Sequence, residues 1–266
     1  MAHETSDSAM DFSVIENPWH LFYAISPYLR RGLLHSEAPG TGKTSAGIAL
    51  AEARNADLVV ITLTDAHTAT DLLGHWVNSK ANSTTWHYGP VAKALKSGRP
   101  VVIVFNETSN AGPDAIQILY ALLEEGKAAT FTLPSNEVLT IGEHVTILCT
   151  QNPDPKETLP RAVLNRFEMV LDIGEHISPA ILDALPVSLR SIVKDGRMAA
   201  REAFTLLRLV GDGCQPFVAV QAVLGIERTR DYGDALAIAL ATGNAFTLAP
   251  RQDDESDEDD SDEDDE

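Results

Sequence analysis

Between Ser36 and Ser45 the chain reads Ser-Glu-Ala-Pro-Gly-Thr-Gly-Lys-Thr-Ser, a glycine-rich run closed by a lysine and two hydroxyls. A loop that cradles phosphates needs inward-pointing backbone N–H groups, glycines that let the backbone come close, and a helix N-terminus directly behind. Pro39, Gly40, Thr41 and Gly42 provide the turn, Lys43 would neutralise β- and γ-phosphates, the Thr44 hydroxyl would ligate Mg²⁺, and Ser45 opens the helix. The pattern departs at one position: Glu37 stands where the first glycine of such a loop usually sits. A carboxylate at the mouth of an anion site is unhelpful unless it points outward.

A second group of polar residues ends an apolar run, Val101-Val102-Ile103-Val104-Phe105-Asn106-Glu107. In phosphate-transferring sites of this layout an acid at the strand end holds magnesium and a following glutamate polarises water. Glu107 is therefore the candidate general base, and Asn106 the metal-side residue, a neutral oxygen in the usual place of an aspartate. That substitution should weaken metal binding. A third run, Val145 to Thr150, delivers Asn152, whose amide could bond the γ-phosphate and the attacking water together; Asn before Pro is equally a common turn residue. Downstream, Leu159 to Phe167 reads as a short helix with two arginines, and Arg166 is either a surface ion-pair partner or a group that reaches a neighbour's phosphate.

The elements that must position these residues follow from hydrophobic periodicity. Residues 18 to 31 have helical spacing broken by Pro27; strands are expected at Gly32–His35, Leu58–Leu63, Val101–Phe105 and Val145–Cys149, with helices at Ser45–Arg54, Val91–Ser97 and Pro113–Glu125. The segment from Asp65 to Pro90 is polar and rich in Thr, His and Trp. Thr130–Leu133 and Val138–Ile141, joined by Pro-Ser-Asn-Glu, predict a hairpin. Strand and helix alternate, which argues an α/β fold: a three-layer α/β/α sandwich around a parallel sheet, with an inserted hairpin. Helical patterns alone follow Ser178. The expected organisation is thus a flexible stretch at 1–14, an α/β core at 15–177, a small helical domain at 178–247 and a disordered acidic tail at 248–266.

The last fourteen residues are twelve acids and two serines, and the formal net charge of -19 becomes -7 once those twelve are set aside. The tail has nothing apolar to bury and serves either solubility or docking to a basic surface. The remainder shows no basic stripe, which disfavours nucleic acid as a partner. Two cysteines 65 positions apart argue against a disulfide framework or zinc site. No apolar run suits a leader or a membrane span, so a cytoplasmic protein without a membrane partner is expected.

With these elements in order, the chain resembles the MoxR-type branch of the AAA+ P-loop ATPases, including relatives that activate rubisco or nitric oxide reductase or assemble gas vesicles. The resemblance rests on PGTGKT, Thr70-Asp71-Leu72-Leu73-Gly74, Tyr88 to Leu95, VVIVFNE, Leu122-Leu123-Glu124-Glu125, TQNP and LNRF, and spans roughly residues 15 to 175. It implies ATP and Mg²⁺ as cofactors, Asn152 as sensor 1, Arg166 as an arginine finger, and the 130–141 hairpin as the family's helix-2 insert. Ala200 to Val210 looks like the lid helix, with Arg201 as sensor 2 and Arg197 as second choice. A finger supplied by a neighbour implies a homo-oligomer packed head to tail, a hexameric ring that remodels a client or adaptor, in some relatives one with a metal-ion-dependent adhesion domain. Trp76, Trp86, His87 and Tyr88 are either core or client-facing. The alternative is an ATP-binding scaffold with little turnover, favoured by Asn106 and Glu37.

Overall fold

The structure, a computed structural model, describes residues 15, 17–78, 84–124, 129–152 and 159–243. The expectations for 1–14, for the acidic tail, and for Glu125 and Pro153 lie outside the described residues. The chain divides after Ser178 into two compact units.

The first unit opens with α1 (Pro18–Ile25), started by Asn17, whose side chain accepts the Trp19 N–H. Strand β1 (Arg31–His35) leads through the glycine loop into α2 (Lys43–Ala53), then β2 (Asp57–Thr62). Two short helices, α3 (Ala69–Leu73) and α4 (Pro90–Lys96), flank a hairpin of β3 (Gly74–Asn78) and β4 (Thr84–Tyr88). Strand β5 (Val101–Asn106) follows, then a 3-10 turn at Thr108–Asn110, α5 (Pro113–Leu122), a second hairpin of β6 (Thr130–Thr132) and β7 (Val138–Thr140), β8 (Val145–Gln151), α6 (Arg161–Leu164) and β9 (Met169–Asp172).

Five strands form one parallel sheet in the order β2-β5-β8-β1-β9. Its layers can be read from the alternation of buried side chains along each strand. Val101, Ile103 and Phe105 join Leu33, Ile147 and Cys149 under α3, α4 and α5, in a core that includes Leu72, Leu95, Ile118 and Leu122. Val102 and Val104 face the other way, onto Leu50 and Ala51 of α2, while Leu34 and Leu148 pack with Trp19, Phe22 and Ala46. The architecture is the expected three-layer α/β/α sandwich with a parallel sheet. Helix α2 lies close upon it: a Cβ added to Gly47 would come 2.5 Å from Val104 Cγ2.

Three details differ from the sequence reading. The polar segment from Asp65 to Pro90 contains a helix and a hairpin, stabilised where Trp86 and Tyr88 pack against the core. The hairpin of β3 and β4 lies between α3 and α4, in the helical crossover from β2 to β5; the 130–141 hairpin, expected to be the helix-2 insert, belongs instead to the next crossover, between α5 and β8. The third is β9, a four-residue edge strand beside β1.

The second unit is helical: α7 (Pro179–Ala184), α8 (Val187–Lys194), α9 (Ala200–Gly211) and α10 (Pro216–Thr242), the last kinked at Gly225, where φ is +77°. Arg228 on α10 makes a two-pronged ion pair with Glu202 on α9, 3.0 and 2.5 Å. Among the described residues, no helix is long and apolar enough to cross a membrane.

Candidate nucleotide site

Parallel strands all end on one sheet edge, so β1, β5 and β8 deliver their C-terminal residues side by side, the position where open α/β sheets bind ligands. The register sets Leu34 beside Thr150 and Phe105 beside Cys149, which brings the loop after His35, the pair Asn106-Glu107 and the pair Gln151-Asn152 to one place.

The loop turns on Gly40 and Gly42, whose φ values of +76° and +104° belong to the left-handed region glycine favours. Gly42 is the N-cap of α2, so the helix begins at Lys43, two residues before its expected start. The first-turn N–H groups of α2 and its dipole therefore face the loop's interior. Ser36 anchors the loop: its hydroxyl lies 2.9 Å from the Ala38 carbonyl and 2.6 Å from that of Gly174, while the Ser178 N–H donates to the Thr41 carbonyl at 2.9 Å.

Lys43 is 8% exposed, and its ammonium has three long contacts, to Ser36 O (3.4 Å), Ala38 O (3.3 Å) and Thr41 Oγ1 (3.4 Å). Burial pulls its pKa below the ordinary lysine value, against the upward pull of the Glu107 carboxylate. A buried cation whose hydrogen bonds among the described residues are all long ones to neutral oxygens is set for an anion.

The Thr44 hydroxyl donates to Asn106 Oδ1 at 3.0 Å, and Thr150 Oγ1 donates to the same oxygen at 2.9 Å. With its proton committed, the Thr44 oxygen keeps its lone pairs for a cation, so this donor fits the Mg²⁺ that such a site implies. The chemistry of Asn106 differs: its acceptor oxygen is already engaged twice and it carries no charge.

Glu107 sits at φ +54°, ψ +44°, a left-handed conformation that costs a non-glycine residue on the order of 1–3 kcal/mol. The turn behind holds it there: Asn110 N–H bonds the Glu107 carbonyl at 2.9 Å, and Thr108 Oγ1 bonds the Thr150 carbonyl at 3.2 Å. Asn152 Nδ2 donates to Glu107 Oε1 at 3.3 Å. Asn152 Oδ1 and Gln151 Oε1 are buried acceptors without a hydrogen-bond partner among the described residues. Buried acceptors of this kind call for a donor, and a water beside Glu107 would supply one.

Five expected residues, Lys43, Thr44, Asn106, Glu107 and Asn152, thus come together, with Pro39, Gly40, Thr41, Gly42 and Ser45 forming the loop around Lys43. Glu37 is exposed and lines an adjoining cavity of about 750 Å³ with His35, Asp172 and Glu175. Arg166 is engaged elsewhere: Nε and Nη2 reach Glu124 Oε2 at 3.2 Å, Nη1 bonds the Ala162 carbonyl, and the guanidinium lies over the Tyr120 ring, 5.1 Å from its centre. Arg201 is exposed on α9 and Arg197 precedes that helix, both in the second unit. Thr150 was missed by sequence reasoning; a threonine two residues before a candidate polar residue was the one available signal.

A glycine loop between the first strand and helix of a sheet ordered β2-β5-β8-β1-β9, facing acidic and amide residues on the neighbouring strand ends, is the P-loop α/β fold of AAA+ proteins. Residues 38–167 match the family model of the AAA domain, dynein-related subfamily, which supports an AAA+ ATPase domain over that stretch. The match runs from within the glycine loop to Phe167, the residue after Arg166.

Proposed function

We propose that this chain is an ATP-binding and ATP-hydrolysing AAA+ motor of MoxR type that works as a head-to-tail ring and remodels a protein partner. The observation that carries the reading is the convergence of Lys43, Thr44, Glu107 and Asn152 on one sheet edge, with Glu107 in a strained backbone and a buried acceptor of Asn152 left open beside it. Loop N–H groups and Lys43 bind the polyphosphate, and the Thr44 hydroxyl and Asn106 face the Mg²⁺ side. A Mg²⁺ held there would supply charge neutralisation on the phosphates as the γ-phosphoryl group is transferred to water and ADP leaves. Glu107 accepts a proton from the attacking water, and Asn152 orients that water.

Arg166 acts in a neighbouring subunit, on the face where Glu124 and Tyr120 pre-orient its guanidinium, and a ring is the closed form of such heterologous contacts. We assign six subunits by family resemblance, and to Arg201 the sensing of bound nucleotide. The partner is a protein or adaptor, with an adhesion-type metal domain among the candidates; the 52% exposure of Trp76 on the β3–β4 hairpin supports assigning it to that contact.

Steady-state phosphate release from the purified chain is the test. Glu107→Gln should lower turnover by about 10²–10⁴ while fluorescent-ATP binding persists. A second reading, a nucleotide-binding scaffold with little turnover, is favoured by the neutral, doubly engaged Asn106. Binding without phosphate release above background would decide for it.

A further inference from the structure

Resting on the reading of the glycine loop as a nucleotide site, we infer that Asn106, locked by Thr44 and Thr150, makes capture of the nucleotide nearly independent of magnesium. A carboxylate at this strand end would offer the metal's water shell a charged oxygen in the place where Asn106 carries its amide nitrogen. That nitrogen is a donor without a lone pair, so it offers a metal-bound water no acceptor. The remaining oxygen, Oδ1, already accepts from Thr44 at 3.0 Å and from Thr150 at 2.9 Å. Neither end of the amide has a lone pair left for a metal-bound water.

Among the described residues, the charge brought to the cation side is therefore the Glu107 carboxylate, and that group already accepts from Asn152. Lys43 lies buried in the same cluster and carries the opposite sign. The polyphosphate meets a built-in counter-cation and a helix N-terminus, both present without a metal. Among the described residues, magnesium is left with the Thr44 hydroxyl as its protein ligand. It can still serve the chemistry on the phosphates, but it adds little to holding them. Thr150 is then a positioning residue, acting through the oxygen it occupies.

The test is an equilibrium titration of the full chain with N-methylanthraniloyl-ATP, in excess magnesium and in EDTA. For the wild type the two affinities should agree within about threefold, and Asn106→Asp should open that ratio to about tenfold or more, because a carboxylate at the strand end gives Mg²⁺ the ligand type it is usually held by. Thr150→Val frees one lone pair of Asn106 Oδ1 and should raise the ratio above the wild type's, which keeps the test intact if Asn106→Asp does not fold. A wild type that loses tenfold or more in EDTA overturns the inference and leaves the nucleotide site standing. The same holds if every folded variant keeps the wild-type ratio. Absence of binding by the wild type in both buffers overturns the nucleotide reading itself, and the inference with it.

Discussion

Gly47→Ala puts the closeness of α2 to the sheet to a quantitative trial. The new Cβ would stand 2.5 Å from Val104 Cγ2, 3.3 Å from Leu148 Cδ2 and 3.4 Å from Val104 Cγ1. Carbon atoms pack at about 3.5–4.0 Å, so a gap of roughly an ångström must open. Val104 and Leu148 are fully buried in adjacent central strands, and Val104, branched at Cβ, has little rotamer freedom with which to yield. Overpacking of this kind costs about 1–3 kcal/mol, and the close contact argues for the upper half. Against it, alanine gains about 1 kcal/mol over glycine inside a helix. The expected net loss is about 1–2 kcal/mol. Urea unfolding followed by tryptophan fluorescence reads it cleanly, since Trp19, Trp76 and Trp86 all lie in the first unit. Val104→Ala in the same chain should relieve the clash, giving a coupling between the two changes of about 0.5–3 kcal/mol. Since α2 begins at Lys43, the single variant should also bind fluorescent ATP more weakly. Gly47→Ala as stable as the wild type, or more so, would mean that helix propensity outweighs packing here, and the reasoning would fail.

Burial pushes the Cys149 thiol far above its ordinary range and leaves it fully enclosed, while Cys214 is partly exposed. A thiol reagent should therefore titrate one group in the native chain and two in denaturant; two fast native thiols would contradict the packing of β8. In the helical unit, the Arg228 guanidinium holds the Glu202 carboxyl below its usual pKa, aided by the Ala199 N–H. A depressed folded-state pKa gives stability that is present above the unfolded value and lost as pH falls through the folded one. Glu202→Gln should remove this contribution, up to about 1 kcal/mol given the pair's partial exposure, and flatten the acid side of a stability–pH curve followed by circular dichroism. An unchanged acid slope would mean that the pair does not hold α9 to α10.

The sheet was legible because its strands are continuous apolar runs, and Val101 to Phe105 announces a strand covered on both faces. Such a run does not say which residue faces which helix; the split of 101, 103 and 105 from 102 and 104 appears with the structure. The β3–β4 hairpin was hidden for the opposite reason. It is rich in Thr, His and Trp and lacks the aliphatic runs of the sheet strands, and it is stabilised by Trp86 and Tyr88, two residues apart on β4, reaching a core built from distant sequence. A further tie is non-local too: the Tyr88 hydroxyl donates to Glu137, and Lys96 pairs with the same carboxylate at 2.8 Å. The start of α2 was placed late because Gly42 caps the helix through its left-handed backbone, a signal carried by φ and not by side-chain type.

At the site, residue types were readable and their pairing was not. PGTGKT names its own chemistry, but the bond from Thr150 to Asn106 exists because β8 lies between β1 and β5 in a particular register. The two departures from the motif, Glu37 and Asn106, look alike in sequence: one adds a negative charge near the phosphates and the other removes one. The fold gives them different weight. Glu37 is exposed toward the neighbouring cavity, where water screens its charge. Asn106 stands between Thr44 and Thr150, where screening is poorer and a change of charge would be felt by the buried ammonium of Lys43 and by any cation beside Thr44. Of the two, Asn106 is the residue through which this chain's response to magnesium can be altered, while Glu37→Gly should leave nucleotide affinity within about twofold, as expected of an exposed charge. A larger change on titrating that variant with fluorescent ATP would show that the Glu37 carboxylate reaches the phosphates after all.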